Sequence, residues 1–211
     1  MRMDGERTHG GPARQAPPDV WTIGHSTLDL DALRGLLERH GVRQLADVRR
    51  YPASRRHPQF HRETLAEYLA ARGVAYRWFE DLGGRRGALP PESSPNLGIR
   101  NTGFRGYADY MSTAVFREAM RSLIEWAGEA QTAVLCAETL WWRCHRRMIA
   151  DLLVSRGGRV LHIFGDGSAE PHRLWDLARP SGQGLVYPPE QGELGLAPRR
   201  TSDEPPPQRS T

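Results

Sequence analysis

Three stretches of this 211-residue chain hold residue types that do chemistry: Gly24-His25-Ser26, Arg49-Arg50, and Cys136-Ala137-Glu138 followed by Cys144-His145-Arg146. His25 belongs to the side-chain type that changes charge near neutrality, and Gly24 before it permits close backbone approach to a ligand. Glu138 is of the type that serves as general acid or base, or that anchors an arginine such as Arg49 or Arg146. Arg49 and Arg146 carry planar forks of donors suited to a phosphate, with Ser26 beside them as a hydroxyl contact. Cys144 next to His145, near the start of an expected helix, has the setting of a low-pKa thiolate, which makes both residues catalytic candidates. A plainer role competes with each assignment: Ser26 or Thr27 capping the next helix, Arg146 in an ion pair, and Cys136 as a small buried residue closing a strand.

Aromatic and basic residues extend this set. Trp141 and Trp142 lie between the two cysteines, and two adjacent indoles on one short loop do not easily share a core, so one is expected to offer a stacking face to a base or ring. Tyr107 and Tyr110, three apart on one helix face, read as packing residues with hydroxyls at the rim, with a ligand contact by Tyr107 as the other reading. From Arg49 to Arg62 the chain has Arg49, Arg50, Arg55, Arg56, Arg62, His57 and His61 without an acid, and Tyr51 and Phe60 are available for stacking. Such a run is an anion site, a phosphate track or a solvated basic loop. No CxxC pair is present and the one HxxxH pair, His57 with His61, is remote in sequence from the cysteines, so the spacing assigns no metal, although the cysteines with His25 would be the donors of one.

Composition sets outer limits. All 29 basic residues are arginine, which excludes a lysine Schiff base, a Walker A nucleotidase and a kinase of the usual type. Hydrophobic residues make up 38% and charged residues 26%, the balance of a globular chain with polar extensions. No stretch approaches the ~20 apolar residues that span a bilayer, residues Met1 to Gly11 lack an apolar signal core, and two cysteines cannot build a disulfide framework. The expectation is a cytoplasmic protein with reduced thiols and no membrane partner. The net charge of +4 arises almost wholly outside the terminal segments, which suits an acidic partner for the folded part.

Residues 1–19 and 180–211, rich in Pro, Gly and polar residues, are expected to be disordered tails around one domain over 20–179. Within it, Val20–Ile23, Arg43–Val48, Val74–Phe79, Gln131–Cys136 and Arg159–Ile163 read as strands. Helical spacing places Leu30, Leu33, Leu36 and Leu37 on a first helix, Leu65, Tyr68 and Leu69 on a second, and Met148, Ile149, Leu152 and Leu153 on a last one. Between these, Tyr107 to Trp126 forms a long apolar face broken near Ser112, after a Gly- and Pro-rich loop over Glu80 to Arg105. Alternating strands and helices predict a three-layer, Rossmann-like α/β domain: a mostly parallel five-stranded sheet with helices on both faces. The loops after the strand C-termini, which hold the reactive residues, should then share one edge.

These pieces resemble a known family, domain of unknown function 488, in Thr22-Ile23-Gly24-His25-Ser26, Asp47-Val48-Arg49 with Pro52 and Ser54, Leu82-Gly83-Gly84, Gly103-Phe104, Gly106 to Met111, and Cys136-Ala137-Glu138 with Cys144-His145-Arg146. The resemblance covers about Trp21 to Ile163 and implies a compact α/β domain without attaching a reaction. The residues themselves point to an enzyme-like domain that recognises a nucleotide or nucleic acid. In that reading Arg49 and Arg146 hold the phosphate, His25 and Glu138 handle protons, and Trp141 or Trp142 stacks. A non-catalytic nucleic-acid-binding module built on Arg49 to Arg62, and a thiol-redox protein using Cys136 and Cys144, are the alternatives. No motif names a cofactor or an oligomeric state.

Overall fold

Val20–Gly24 (β1) is flanked by Thr132–Cys136 (β4) and Val160–Ile163 (β5), both parallel to it, and this trio forms the centre of the sheet. A computed structural model describes residues 17–53, 56–182 and 184–189. Gln44–Asp47 (β2) pairs in parallel with β4 on one side and with Ala75–Trp78 (β3) on the other. A sixth strand, Ala169–Pro171 (β6), runs antiparallel to β5, giving the order β3-β2-β4-β1-β5-β6. The sheet is therefore mostly parallel, as expected, with one more strand than the sequence pattern announces. Three residues are too few to display an alternation.

Leu30–Arg39 (α1) and Arg62–Ala70 (α2) cover one face of the sheet. Leu33, Leu36, Leu37, Leu65 and Leu69 pack there on Ile23, Leu45, Ala133 and Leu135. Thr102–Tyr110 (α3), Ala114–Ala127 (α4) and Arg146–Ser155 (α5) cover the other, around Val20, Ala46, Val134 and Val160. Period-two alternation along each strand produces the two cores, since β4 sends Ala133 and Leu135 one way and Val134 and Cys136 the other. Asp29 caps α1 by accepting from the Ala32 N–H at 2.7 Å, so Ser26 and Thr27 do not serve as that cap. Gly41, at φ 66°, follows the end of α1 where the sequence places a stop. The apolar face from Tyr107 to Trp126 breaks where expected, with Thr113 capping α4.

The ordered domain extends past its expected boundary at Arg179. Arg179–Ser181 (β7) and Gly184–Val186 (β8) form a hairpin, and Tyr187 beyond it is fully buried. The Tyr187 hydroxyl donates to Asp151 at 3.0 Å and its N–H to the Asn96 side chain at 2.8 Å. Residues 1–16 and 190–211, expected as tails, lie outside the described residues. Asp109 of α3 organises the long loop before it, accepting from the Leu89 N–H, the Ser94 hydroxyl and the Asn96 amide. Among the described residues no helix is long and apolar enough to cross a membrane.

Candidate functional site

The strand order creates the site. Chain leaving β1 and β2 passes to the α1 and α2 face, whereas chain leaving β4, which lies between them, passes to the α5 face. Loops that diverge to opposite faces leave a crevice at the C-terminal edge of the strands. Here an open cleft of about 480 Å³ is lined by His25, Ser26 and Thr27 after β1, Arg49, Tyr51, Arg56 and His57 after β2, and Ala137, Glu138 and Thr139 after β4. The β1 and β4 extensions stay joined beyond the sheet, the His25 and Ser26 N–H groups donating to the carbonyls of Cys136 and Ala137. Ser26 adopts φ 43°, a conformation costly for a residue with a side chain and typical of strained functional loops. Gly24 permits the closest approach, because a Cβ there would overlap the Glu138 carbonyl oxygen and crowd the Arg146 guanidinium.

Arg49 reaches the cleft with its charge already matched. Its guanidinium and backbone N–H bind the fully buried Asp47 carboxylate, including Nε to Oδ1 at 2.9 Å and Nη2 to Oδ2 at 2.5 Å. Its Nη1 donates to the Phe60 carbonyl at 2.8 Å and meets His25 Nε2 at 3.3 Å. Tyr76 completes the group by donating to Asp47 at 2.6 Å, and burial followed by the Asp47 charge raises its pKa. Asp47, which interrupts the apolar pattern of β2, is thus the partner that the sequence reading missed. Its spacing two residues before Arg49, on the same side of an extended chain, was the available signal.

His25 is buried and stacks on Phe60 with ring centroids 4.0 Å apart. Its Nδ1 faces the Ser26 carbonyl at 3.1 Å and therefore carries the proton, leaving Nε2 to accept from Arg49. Burial, reinforced by the Arg49 charge, pushes its pKa down to about 4, so the ring is neutral at physiological pH. Glu138 differs: its side chain is exposed, lines the cleft and accepts from the Leu140 N–H at 3.3 Å. Arg56 and Tyr51, which also line the cleft, are exposed, Tyr51 to 66%. Arg55 lies outside the described residues.

The remaining candidates gather elsewhere. Arg146 is buried, donating to the carbonyls of Glu138 and Thr139 and, through Nε, to the Cys144 sulfur at 3.4 Å. Cys136, Cys144 and His145 form a group on the α3 to α5 side, with His145 Nδ1 3.9 Å from the Cys136 sulfur and 3.6 Å from that of Cys144. Burial opposes a thiolate at Cys144, but the Cys136 thiol, His145 and Arg146 outweigh it and hold Cys144 well below its ordinary pKa. Cys136 is pushed up in return, by its hydrogen bond to Cys144 and by burial. Tyr107 packs against His145 and donates to the Leu82 carbonyl at 2.8 Å, buried rather than at a rim. Trp141 stacks on His162 at 4.0 Å and donates to Glu170, so its faces are closed to solvent, while Trp142 stays partly exposed against its edge.

Behind Trp141 runs a buried polar chain that no sequence pattern disclosed. His172 donates to Asp151 at 2.8 Å and meets His162 at 2.9 Å, and His162 meets Thr22 at 2.7 Å, tying α5, the segment after β6, β5 and β1 together. Burial holds the His162 pKa well below its ordinary value.

No curated protein and no solved structure matches the chain. One family model does, over residues 29–153, more than half of its length, taking in Arg49, Glu138 and the thiol group and beginning just after the β1 loop. By that match the protein belongs to the family described as Domain of unknown function DUF488.

Proposed function

We propose that the cleft binds a phosphate-bearing ligand, a nucleotide or a strand of nucleic acid, and that Glu138 handles a proton there. The observation that carries this reading is the cleft itself, which opens where loops diverge, has the volume of a small-molecule site, and is lined by exposed Arg56 and Tyr51 together with an exposed carboxylate. Arg49 and Arg146 do not hold the phosphate in this proposal, because Asp47 and the loop carbonyls engage their donors. Arg56 makes the charged contact, Tyr51 offers the stacking face, and Ser26 and Thr27 supply hydroxyls. Neutral His25 acts through position, fixing Arg49 against the β1 loop.

A thermal-shift screen with nucleoside monophosphates and short oligonucleotides, at low and high salt, tests the reading. A shift that Arg56→Ala abolishes and Glu138→Gln preserves supports it, and with a turnover assay Glu138→Gln should remove activity while leaving binding. A shift from oligonucleotides alone that salt erases would instead identify a non-catalytic binding module. No shift with any phosphate ligand would refute the proposal.

A further inference from the structure

The group formed by Cys136, Cys144 and His145 packs with the α3 to α5 core, does not line the cleft and is unused by the proposed binding reaction. We infer that these three residues form a buried, three-coordinate site for a soft monovalent metal ion of the copper(I) type. Their donor atoms all lie within 4.8 Å of one another. Metal bonds of about 2.3 Å to sulfur and about 2.05 Å to nitrogen require sulfur–nitrogen separations of ~3.6 Å in tetrahedral and ~3.8 Å in trigonal geometry. The two separations here are 3.6 and 3.9 Å, the spacing that an ion shared by the histidine and each sulfur requires.

The histidine is prepared for that role. Its Nε2 lies 3.0 Å from the Val48 carbonyl, which can only accept, so Nε2 carries the proton and the Nδ1 lone pair is turned to the sulfurs. A backbone carbonyl on the far nitrogen is the usual means of orienting a metal-bound imidazole. Gly84 leaves room for the ring, because a Cβ there would press into the imidazole.

Charge and ligand count select the ion. Two thiolates carry two negative charges, and Arg146, buried and donating to Cys144, supplies one positive charge with no carboxylate ion pair among the described residues. A monovalent ion brings the buried group to neutrality, whereas a divalent ion leaves an uncompensated charge. A closed zinc site takes four protein ligands and a three-residue one completes its shell with water, whereas here no fourth Cys, His, Asp or Glu joins the three among the described residues and both cysteines are buried. Thiolate and imidazole donors suit copper(I), and binding displaces the thiol protons to solvent.

The test is an anaerobic titration of the reduced chain with copper(I) against a chromophoric copper(I) chelator, with zinc(II) in parallel. The expected result is one copper(I) per chain, an ultraviolet thiolate-to-copper band, and protection of both cysteines from maleimide. Cys136→Ser and Cys144→Ser should each weaken binding by more than the roughly 10–100-fold that outer-shell changes cost. Because a serine variant that misfolds would also lose the ion, the one-to-one stoichiometry and the ultraviolet band of the unaltered chain are the deciding readouts. Failure to compete with the chelator, unprotected thiols, a preference for zinc(II), or a disulfide between the two cysteines in the isolated protein would each overturn the assignment. None of these readouts depends on whether the cleft binds a nucleotide.

Discussion

At the scale of single residues, the ion pair between Asp47 and Arg49 separates what holds the fold from what meets a ligand. Asp47 is completely buried, and Arg49 with Tyr76 satisfies its carboxylate. Removing either member of a buried pair leaves an uncompensated charge, so Asp47→Ala and Arg49→Ala should each destabilise the protein by about 3–5 kcal/mol. The double change Asp47→Leu with Arg49→Met should cost less than the sum of the two losses, measured by urea denaturation. Additive losses would show that the two side chains do not act as a pair. Arg49→Ala is consequently a poor probe of binding, and Arg56, exposed on the same cleft wall, is the informative one.

At the scale of elements, the hairpin of β7 and β8 delivers Tyr187 into a polar pocket between Asp151 of α5 and Asn96 of the long loop. Tyr187→Ala should cost about 3–5 kcal/mol, as buried aromatic truncations do, and Tyr187→Phe about 1 kcal/mol for the hydroxyl bond. Equal losses from both variants would mean that the ring packing contributes little. This region also shows the limit of sequence patterning. The five central strands and the helices on α1, α4 and α5 faces were legible because apolar spacing over several residues reports burial directly. Strands of three residues, such as β6, β7 and β8, give no period, and Tyr187 sits in a Pro- and Gly-rich stretch that reads as tail. The edge location of His25, Arg49 and Glu138 followed from strand-then-loop order. That Cys144, His145 and Arg146 face the other core did not, because it depends on where β4 sits between β1 and β2.

At the scale of the whole molecule, two buried histidines on different sides of the structure, His25 and His162, have lowered pKa values. A histidine held neutral in the fold binds its proton more readily when unfolded, so the unfolded state gains protons first as pH falls. Stability from His25 is present above its ordinary value of 6.5 and is lost progressively as pH drops toward about 4. Urea midpoints measured across that interval should fall with acidification, and His25→Gln should remove part of the slope while His162 retains the rest. A wild-type midpoint that does not move across the interval would contradict the assignment of neutral rings.

The strand order that places β4 between β1 and β2 makes the cleft, and the cleft carries the functional account. Hydrogen–deuterium exchange with and without a nucleoside monophosphate locates binding most directly. The account predicts protection at the segments that line the cleft, around His25 to Thr27, Arg49 to Tyr51, Arg56 to His57 and Ala137 to Thr139, and loss of that protection in Arg56→Ala. Protection that falls elsewhere, or that survives the substitution unchanged, would contradict it.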